Sequence, residues 1–226
     1  MARRCLVFAK EPVPGAVKTR LCPPLSPEQA ARFHAAVLDD LLERLGAAPG
    51  IDLRLLLWPP EAVERGRRRW RVDVQAQRGA DLAERLDAAL GEHAPAVLVG
   101  SDLPLLDAEH VFEGHARLAR GADLVLAPDG GGGFGLVGLA RPCPGLFASV
   151  PMSAPNTFEA TLGRARAHAL RFELLPALPD VDTHADLCAL VEPLARATDL
   201  HAPRTRALVR DVLAQHPCTD AAARER

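Results

Sequence analysis

The chain has no apolar run long enough to cross a bilayer, no strong excess of charge of either sign and no CxxC pair among its five cysteines. A net charge of -2 at pH 7 argues against a general nucleic-acid or membrane-surface binder, so neither partner is expected. The local basic run Arg65, Arg67, Arg68, Arg69 and Arg71 reads as a solvated helix end. An odd number of cysteines without metal-ligand spacing indicates neither a disulfide framework nor a zinc knuckle, and fits a reducing cytoplasm. Met1-Ala-Arg-Arg leads into a hydrophobic segment that Lys10 and Glu11 cut too short for a signal peptide, so a soluble, cytoplasmic protein is expected.

What is present is an alternation of short aliphatic runs with longer amphipathic segments, the pattern of an α/β protein with a mostly parallel sheet covered by helices. With 226 residues and 48% hydrophobic content the chain can bury a sizeable core in one domain. We expect that domain over residues 1–200, followed over 201–226 by a C-terminal helix, Pro203 to Gln215, and a frayed tail from Pro217. Strands are predicted at Cys5 to Phe8, Asp52 to Trp58, Ala96 to Gly100, Asp123 to Ala127, Phe134 to Leu139 and Arg171 to Leu175. Ser26-Pro27-Glu28-Gln29 combines an N-cap serine, a first-turn proline and a capping-box glutamine, and predicts a helix running towards Leu45. Further helices are predicted from Asp81, Asp107, Thr157 and Thr183.

Four segments carry candidate chemistry. The first strand feeds a Pro/Gly loop with Lys10, Lys18 and Arg20, where Gly15 lets the backbone approach a phosphate and the cations offset its charge. The strand Val97 to Gly100 ends on Ser101 and Asp102, and that carboxylate could hold Mg²⁺ against a nucleotide tail. Asp129 precedes four consecutive glycines, Gly130 to Gly133, whose amides can receive an anion or sugar hydroxyls. Finally, Asp180-Val-Asp-Thr183 precedes a helix that Thr183 should cap; on an extended segment one of the two acids faces the crevice and the other faces away. Each also has a plainer reading as turn, cap or hairpin.

Together these segments resemble the bacterial GT-A-like proteins called DUF2064 or the glycosyltransferase A family, relatives of molybdenum cofactor and phospholactate guanylyltransferases. The resemblance runs from about Cys5 to about Leu190. Its motifs are Phe8-Ala-Lys-x-Pro-x-Pro-Gly-x-Val-Lys-Thr-Arg-Leu21, Gln77-x-Gly-x-Asp-Leu-x-x-Arg85, Gly100-x-Asp-x-Pro104, Asp129-Gly-Gly131 and Asp180-Val-Asp-Thr183. It implies a nucleotide-diphospho-sugar transferase-like fold and a nucleotide-using transferase dependent on Mg²⁺ or Mn²⁺. Lys18, Asp102 and Asp129 would be catalytic, and Asp102 and Asp182 would ligate the metal. Ala9, Lys10, Pro14, Gly15, Lys18, Arg20, Gln77, Gly79, Asp81 and Ser101 would bind the nucleotide; Gly130, Gly131, Gly132 and Asn156 would bind a small-molecule acceptor. The reaction read first is nucleotidyl transfer to a phosphorylated or acidic acceptor; glycosyl transfer from a nucleotide sugar and a non-catalytic nucleotide sensor stand as alternatives. The chain has no tyrosine, and its glycine loop is longer and barer where relatives carry an aromatic pair, so a different acceptor pocket is expected.

Overall fold

The computed structural model describes residues 2–218. Its centre is β1 (Arg3–Lys10), a strand buried on both faces, as its continuous aliphatic run requires. The other strands are β2 (Ile51–Trp58), β3 (Asp73–Ala76), β4 (Ala96–Gly100), β5 (Leu124–Pro128), β6 (Phe134–Leu139) and β7 (Phe172–Leu174). They form one sheet in the order β3-β2-β1-β4-β6-β5-β7. Only β6 runs against its neighbours, β4 and β5; the remaining pairs are parallel. The carboxyl ends of β1, β4 and β5 therefore open on the same edge, where ligands bind in sheets of this kind.

Strand alternation divides the core. Cys5, Val7 and Ala9 pack on one face with Leu38, Leu41, Val111 and Val125, whereas Leu6 and Phe8 pack on the other with Leu86, Leu90, Leu126 and Leu162. The helices that cover these faces include α1 (Pro27–Ala47), α3 (Leu82–His93), α4 (Ala108–Ala119) and α5 (Thr157–Ala167), with the short α2 (Val63–Arg69) carrying most of the basic run. A third apolar cluster joins α1 to α6 (His184–Arg196) and α7 (Pro203–Gln215) through Phe33, Val37, Leu187, Leu190, Val209 and Val212. Ser26 caps α1 in a capping box, as expected.

One strand lies outside the predicted set, and one expectation needs correcting. The edge strand β3 had no sequence prediction, because its alternation of Asp73 and Gln75 with small apolar residues lacks an aliphatic run. Cys188 and Cys218 form a disulfide, although their spacing suggested none. The partners are 30 residues apart, on α6 and just beyond α7, and it is the packing of those two helices that brings them together. Among the described residues no helix is long and apolar enough to cross a membrane. The tail predicted from Pro217 lies, from residue 219 on, outside the described residues.

Candidate functional site

At the carboxyl edge of the sheet lies a cleft of about 1190 Å³, lined by the loops after β1, β4 and β5 and by the segment before α6. Its chemical centre is Lys18. That residue sits in the left-handed region with φ 48, a conformation that costs a non-glycine residue about 1 kcal/mol. Its side chain is buried, and its ammonium donates to Asp102 Oδ2 at 3.1 Å and Asp182 Oδ1 at 2.7 Å. Burial works against the charge on Lys18, but the two carboxylates override it and raise the pKa. In the same way burial opposes ionisation of Asp102, and Lys18 reverses the balance and holds its carboxyl below the usual range. Arg20 reaches Asp182 Oδ2 at 3.1 Å from the exposed side.

Tertiary backbone bonds assemble this cluster. Val181 N–H donates to the Asp102 carbonyl, and Leu178 N–H to the Pro128 carbonyl, which clamps residues 178–182 across the ends of β4 and β5. This segment is irregular rather than a strand, so the expectation that Asp180 and Asp182 point to opposite sides fails. Carboxylate oxygens of Asp102, Asp180 and Asp182 all lie within 4.8 Å of one another. Such an all-oxygen donor set, already satisfied in part by one cation, suits a hard divalent ion. Thr183 caps α6 in a capping box with Asp186, whose carboxylate also accepts from Asp182 N–H.

Asp180 is the group least satisfied here: desolvation, reinforced by Asp102 and Asp182, pushes its carboxyl up to about 7. A raised carboxyl pKa means that the folded state prefers the protonated form. Its contribution to stability is full below the unfolded carboxyl range near ~4 and is lost as pH rises through about 7. We therefore expect the thermal midpoint of the metal-free protein to fall between about pH 5 and about pH 8, and Asp180→Asn to flatten that fall. Equal slopes for the two proteins would show that Asp180 carries no such strain.

The glycine loop is tied down rather than free. Asp129 Oδ1 accepts from Gly131 N–H at 2.7 Å and Gly133 N–H at 2.9 Å, and Phe158 N–H donates to the Gly132 carbonyl. Those two amides are thus engaged by Asp129, which acts first as the organiser of the loop. Gly132 has φ +98, and a Cβ there would overlap the Pro155 carbonyl oxygen, whereas a Cβ on Gly131 would meet only Asp129 Oδ1 at 3.6 Å. Gly132→Ala is accordingly expected to destabilise the protein by about 2 kcal/mol or more and Gly131→Ala to be close to neutral. Denaturant unfolding of the two variants checks this.

Of the residues singled out in the sequence, Ala9, Lys10, Lys18, Arg20, Gln77, Ser101, Asp102, Asp129, Gly130, Gly131 and Asp182 line the cleft. Pro14, Gly15, Gly79, Asp81, Gly132 and Asn156 lie outside its lining, for local reasons. Gly15 takes φ +77 in an exposed turn beside Pro14, and Gly79 takes φ +134 against the first turn of α3. Asp81 caps α3 by accepting from Glu84 N–H, Asn156 is the exposed residue preceding α5, and Gly132 packs on Pro155. Among the lining residues that had no assigned role are His34 and Arg85. His34 is buried on α1 and its Nε2 bonds to the Lys10 carbonyl, which fixes the end of β1; desolvation lowers its pKa and keeps it neutral. Arg85, on α3, faces the cleft beside Gln77.

This fold and site define a nucleotidyltransferase-like enzyme of the GT-A-like superfamily. Residues 41–154 match the model of a family described as uncharacterized protein conserved in bacteria, DUF2064, and the chain belongs to that family. It is 31% identical over 205 residues to a phosphoenolpyruvate guanylyltransferase of Nocardia farcinica, covering 86% of each chain. It is 30% identical over 127 residues to a 2-phospho-L-lactate guanylyltransferase of Methanocella arvoryzae, covering 56% of this chain and 53% of the relative. A solved structure from Desulfovibrio desulfuricans, provisionally described as a nucleotide-diphospho-sugar transferase, superimposes with a TM-score of 0.86 at 29% identity, over 97% of this chain and all of the other. Molybdopterin-guanine dinucleotide biosynthesis protein A of Archaeoglobus fulgidus shares the fold, with a TM-score of 0.53 at 12% identity over 94% of this chain and 99% of the other.

Proposed function

We propose that the protein transfers a nucleotidyl group from a nucleoside triphosphate to a small phosphorylated or acidic acceptor and releases pyrophosphate. The observation that carries this reading is the Lys18 ammonium held between Asp102 and Asp182 at the mouth of β1 and β4, with Arg20 alongside and Lys10 in the same cleft. A triphosphate needs such convergent cations, and in-line displacement at phosphorus depends on positioning and charge stabilisation more than on covalent chemistry. The acceptor oxygen bonds to the α-phosphorus while the bond from that phosphorus to the β-bridging oxygen breaks, and the electron pair leaves with pyrophosphate. Asp102 and Asp182, with Asp180 beside them, would hold Mg²⁺ or Mn²⁺, which would neutralise phosphate charge when bound. Lys18 and Arg20 would then face the phosphate oxygens. The loop that Asp129 organises, Gly130 to Gly133, would flank the acceptor.

Glycosyl transfer from a nucleotide sugar is the second reading, favoured by the likeness to the Desulfovibrio protein. Against it, the segment at the end of β4, Gly100-Ser-Asp102, supplies one carboxylate where glycosyltransferases of this fold place an Asp-x-Asp pair. Thermal midpoints with each nucleoside triphosphate and each common nucleotide sugar, with and without Mg²⁺, separate the readings, because a ligand of the native state raises apparent stability. Mg²⁺-dependent stabilisation by a triphosphate is the expected result; stabilisation by nucleotide sugars alone would favour glycosyl transfer.

A further inference from the structure

We infer that Arg85 selects the nucleobase, taking a base that presents two hydrogen-bond acceptors side by side on one edge. The inference rests on the nucleotide-binding reading of the cleft, but not on which bond the enzyme makes or breaks. Sheet order divides the cleft into three zones. The cation loop and the carboxylates occupy its centre, at the ends of β1 and β4; the glycine loop between β5 and β6 lies on one side, and β3 with the start of α3 on the other. A nucleotide with its phosphates at the centre and an acceptor beside the glycine loop places its base on the third side. The lining there is Phe8, Gln77, Leu82, Arg85 and Leu86, apolar walls with two polar side chains.

Both polar side chains are held in place. Gln77 is buried and its amide donates to the Ala9 carbonyl at 3.0 Å and the Leu56 carbonyl at 2.8 Å, so its own carbonyl oxygen must point the other way, towards Arg85. The Arg85 guanidinium lies over the Trp58 ring at 4.2 Å, donates through Nε to the Asp81 carbonyl at 2.9 Å and approaches Gln77 Oε1 through Nη1 at 3.4 Å. Stacking on one face and a bond at Nε fix the plane of the fork. Among the described residues the Nη2 amino group has no hydrogen-bond partner, which leaves it available to a ligand in the cleft that Arg85 lines. With Nε engaged and one Nη1 hydrogen turned to Gln77, the donors left on this planar fork are Nη2 and the second Nη1 hydrogen, and two donors on neighbouring nitrogens match an edge carrying paired acceptors. Guanine has one in its keto oxygen and the neighbouring ring nitrogen, cytosine in its carbonyl oxygen and ring nitrogen. Adenine sets an amino donor beside its ring nitrogen, and uracil separates its carbonyls by a ring N–H.

Equilibrium binding of GTP, CTP, ATP and UTP with Mg²⁺ to the wild-type protein, Arg85→Met and Arg85→Lys tests this. The wild type should bind GTP or CTP more tightly than ATP and UTP by on the order of tenfold to a hundredfold. Arg85→Met should remove that preference while ATP and UTP change little. Arg85→Lys keeps a cation near Trp58 without the planar fork; it should also lose most of the preference, and it serves if the methionine variant does not fold. No preference in the wild type, a preference that survives both substitutions, or equal weakening of all four ligands would overturn the assignment. If triphosphates do not bind while guanine or cytosine nucleotide sugars do, and Arg85→Met loses that selectivity, Arg85 keeps its role and nucleotidyl transfer falls.

Discussion

Asp102→Asn is expected to leave the fold intact and to lower metal-dependent turnover roughly a hundredfold to a thousandfold. The amide preserves the shape of the side chain and leaves the backbone bond from Val181 N–H to the residue 102 carbonyl in place, so the clamp on residues 178–182 persists. What disappears is one of the two charges that hold the Lys18 ammonium and one of the three carboxylate charges that a divalent ion would meet. The effect should show as weaker Mn²⁺ binding together with a lower kcat at saturating Mg²⁺. A variant with wild-type metal dependence would remove Asp102 from the mechanism.

Lys18→Met should have an effect of similar size on turnover and a second effect that Asp102→Asn lacks. Without the ammonium, Asp102, Asp180 and Asp182 face one another, and the Arg20 that still pairs with Asp182 is largely exposed, so its charge is screened by water. The metal-free variant should therefore be less stable by about 1–3 kcal/mol, an amount between exposed and buried ion pairs because the carboxylates keep about a third of their exposure (33%). Mg²⁺ should restore more stability to the variant than to the wild type. Triphosphate affinity should fall by on the order of a hundredfold while nucleoside affinity holds, since the lost partner is a phosphate. Equal weakening of both ligands, or an unchanged thermal response to Mg²⁺, would detach Lys18 from the phosphate and metal site.

Much of the frame was legible in the sequence because its signals are local. β1 and β4 are continuous aliphatic runs of the kind that parallel strands buried on both faces need, and Ser26, Asp81, Asp107 and Thr183 mark helix starts by the side-chain bonds they make. The edge strand β3, short and half polar, carries no comparable signal. In the site, the cation loop and Asp102 were legible as strand-end residues, and Asp182 through its place before α6. The convergence of Asp180 with them was not, because it depends on two backbone bonds that span β4, β5 and the segment before α6. The engagement of the Gly131 and Gly133 amides by Asp129, in place of an anion or sugar hydroxyls, was not legible because those bonds need a turn geometry that composition does not show. Likewise the Cys188–Cys218 pair follows from the packing of α6 and α7, not from spacing.

Whether the Lys18 and Asp102 site transfers a nucleotidyl group is decided by following the α-phosphate. Nucleoside triphosphate labelled at that position is incubated with the protein, Mg²⁺ and a panel of small phosphorylated acids, and both labelled product and pyrophosphate are quantified. The expected result is label in an acceptor product with one pyrophosphate released per product formed, and loss of both in Asp102→Asn. Sugar transfer from a nucleotide sugar with release of the nucleoside diphosphate, and no labelled product from any triphosphate, would contradict it.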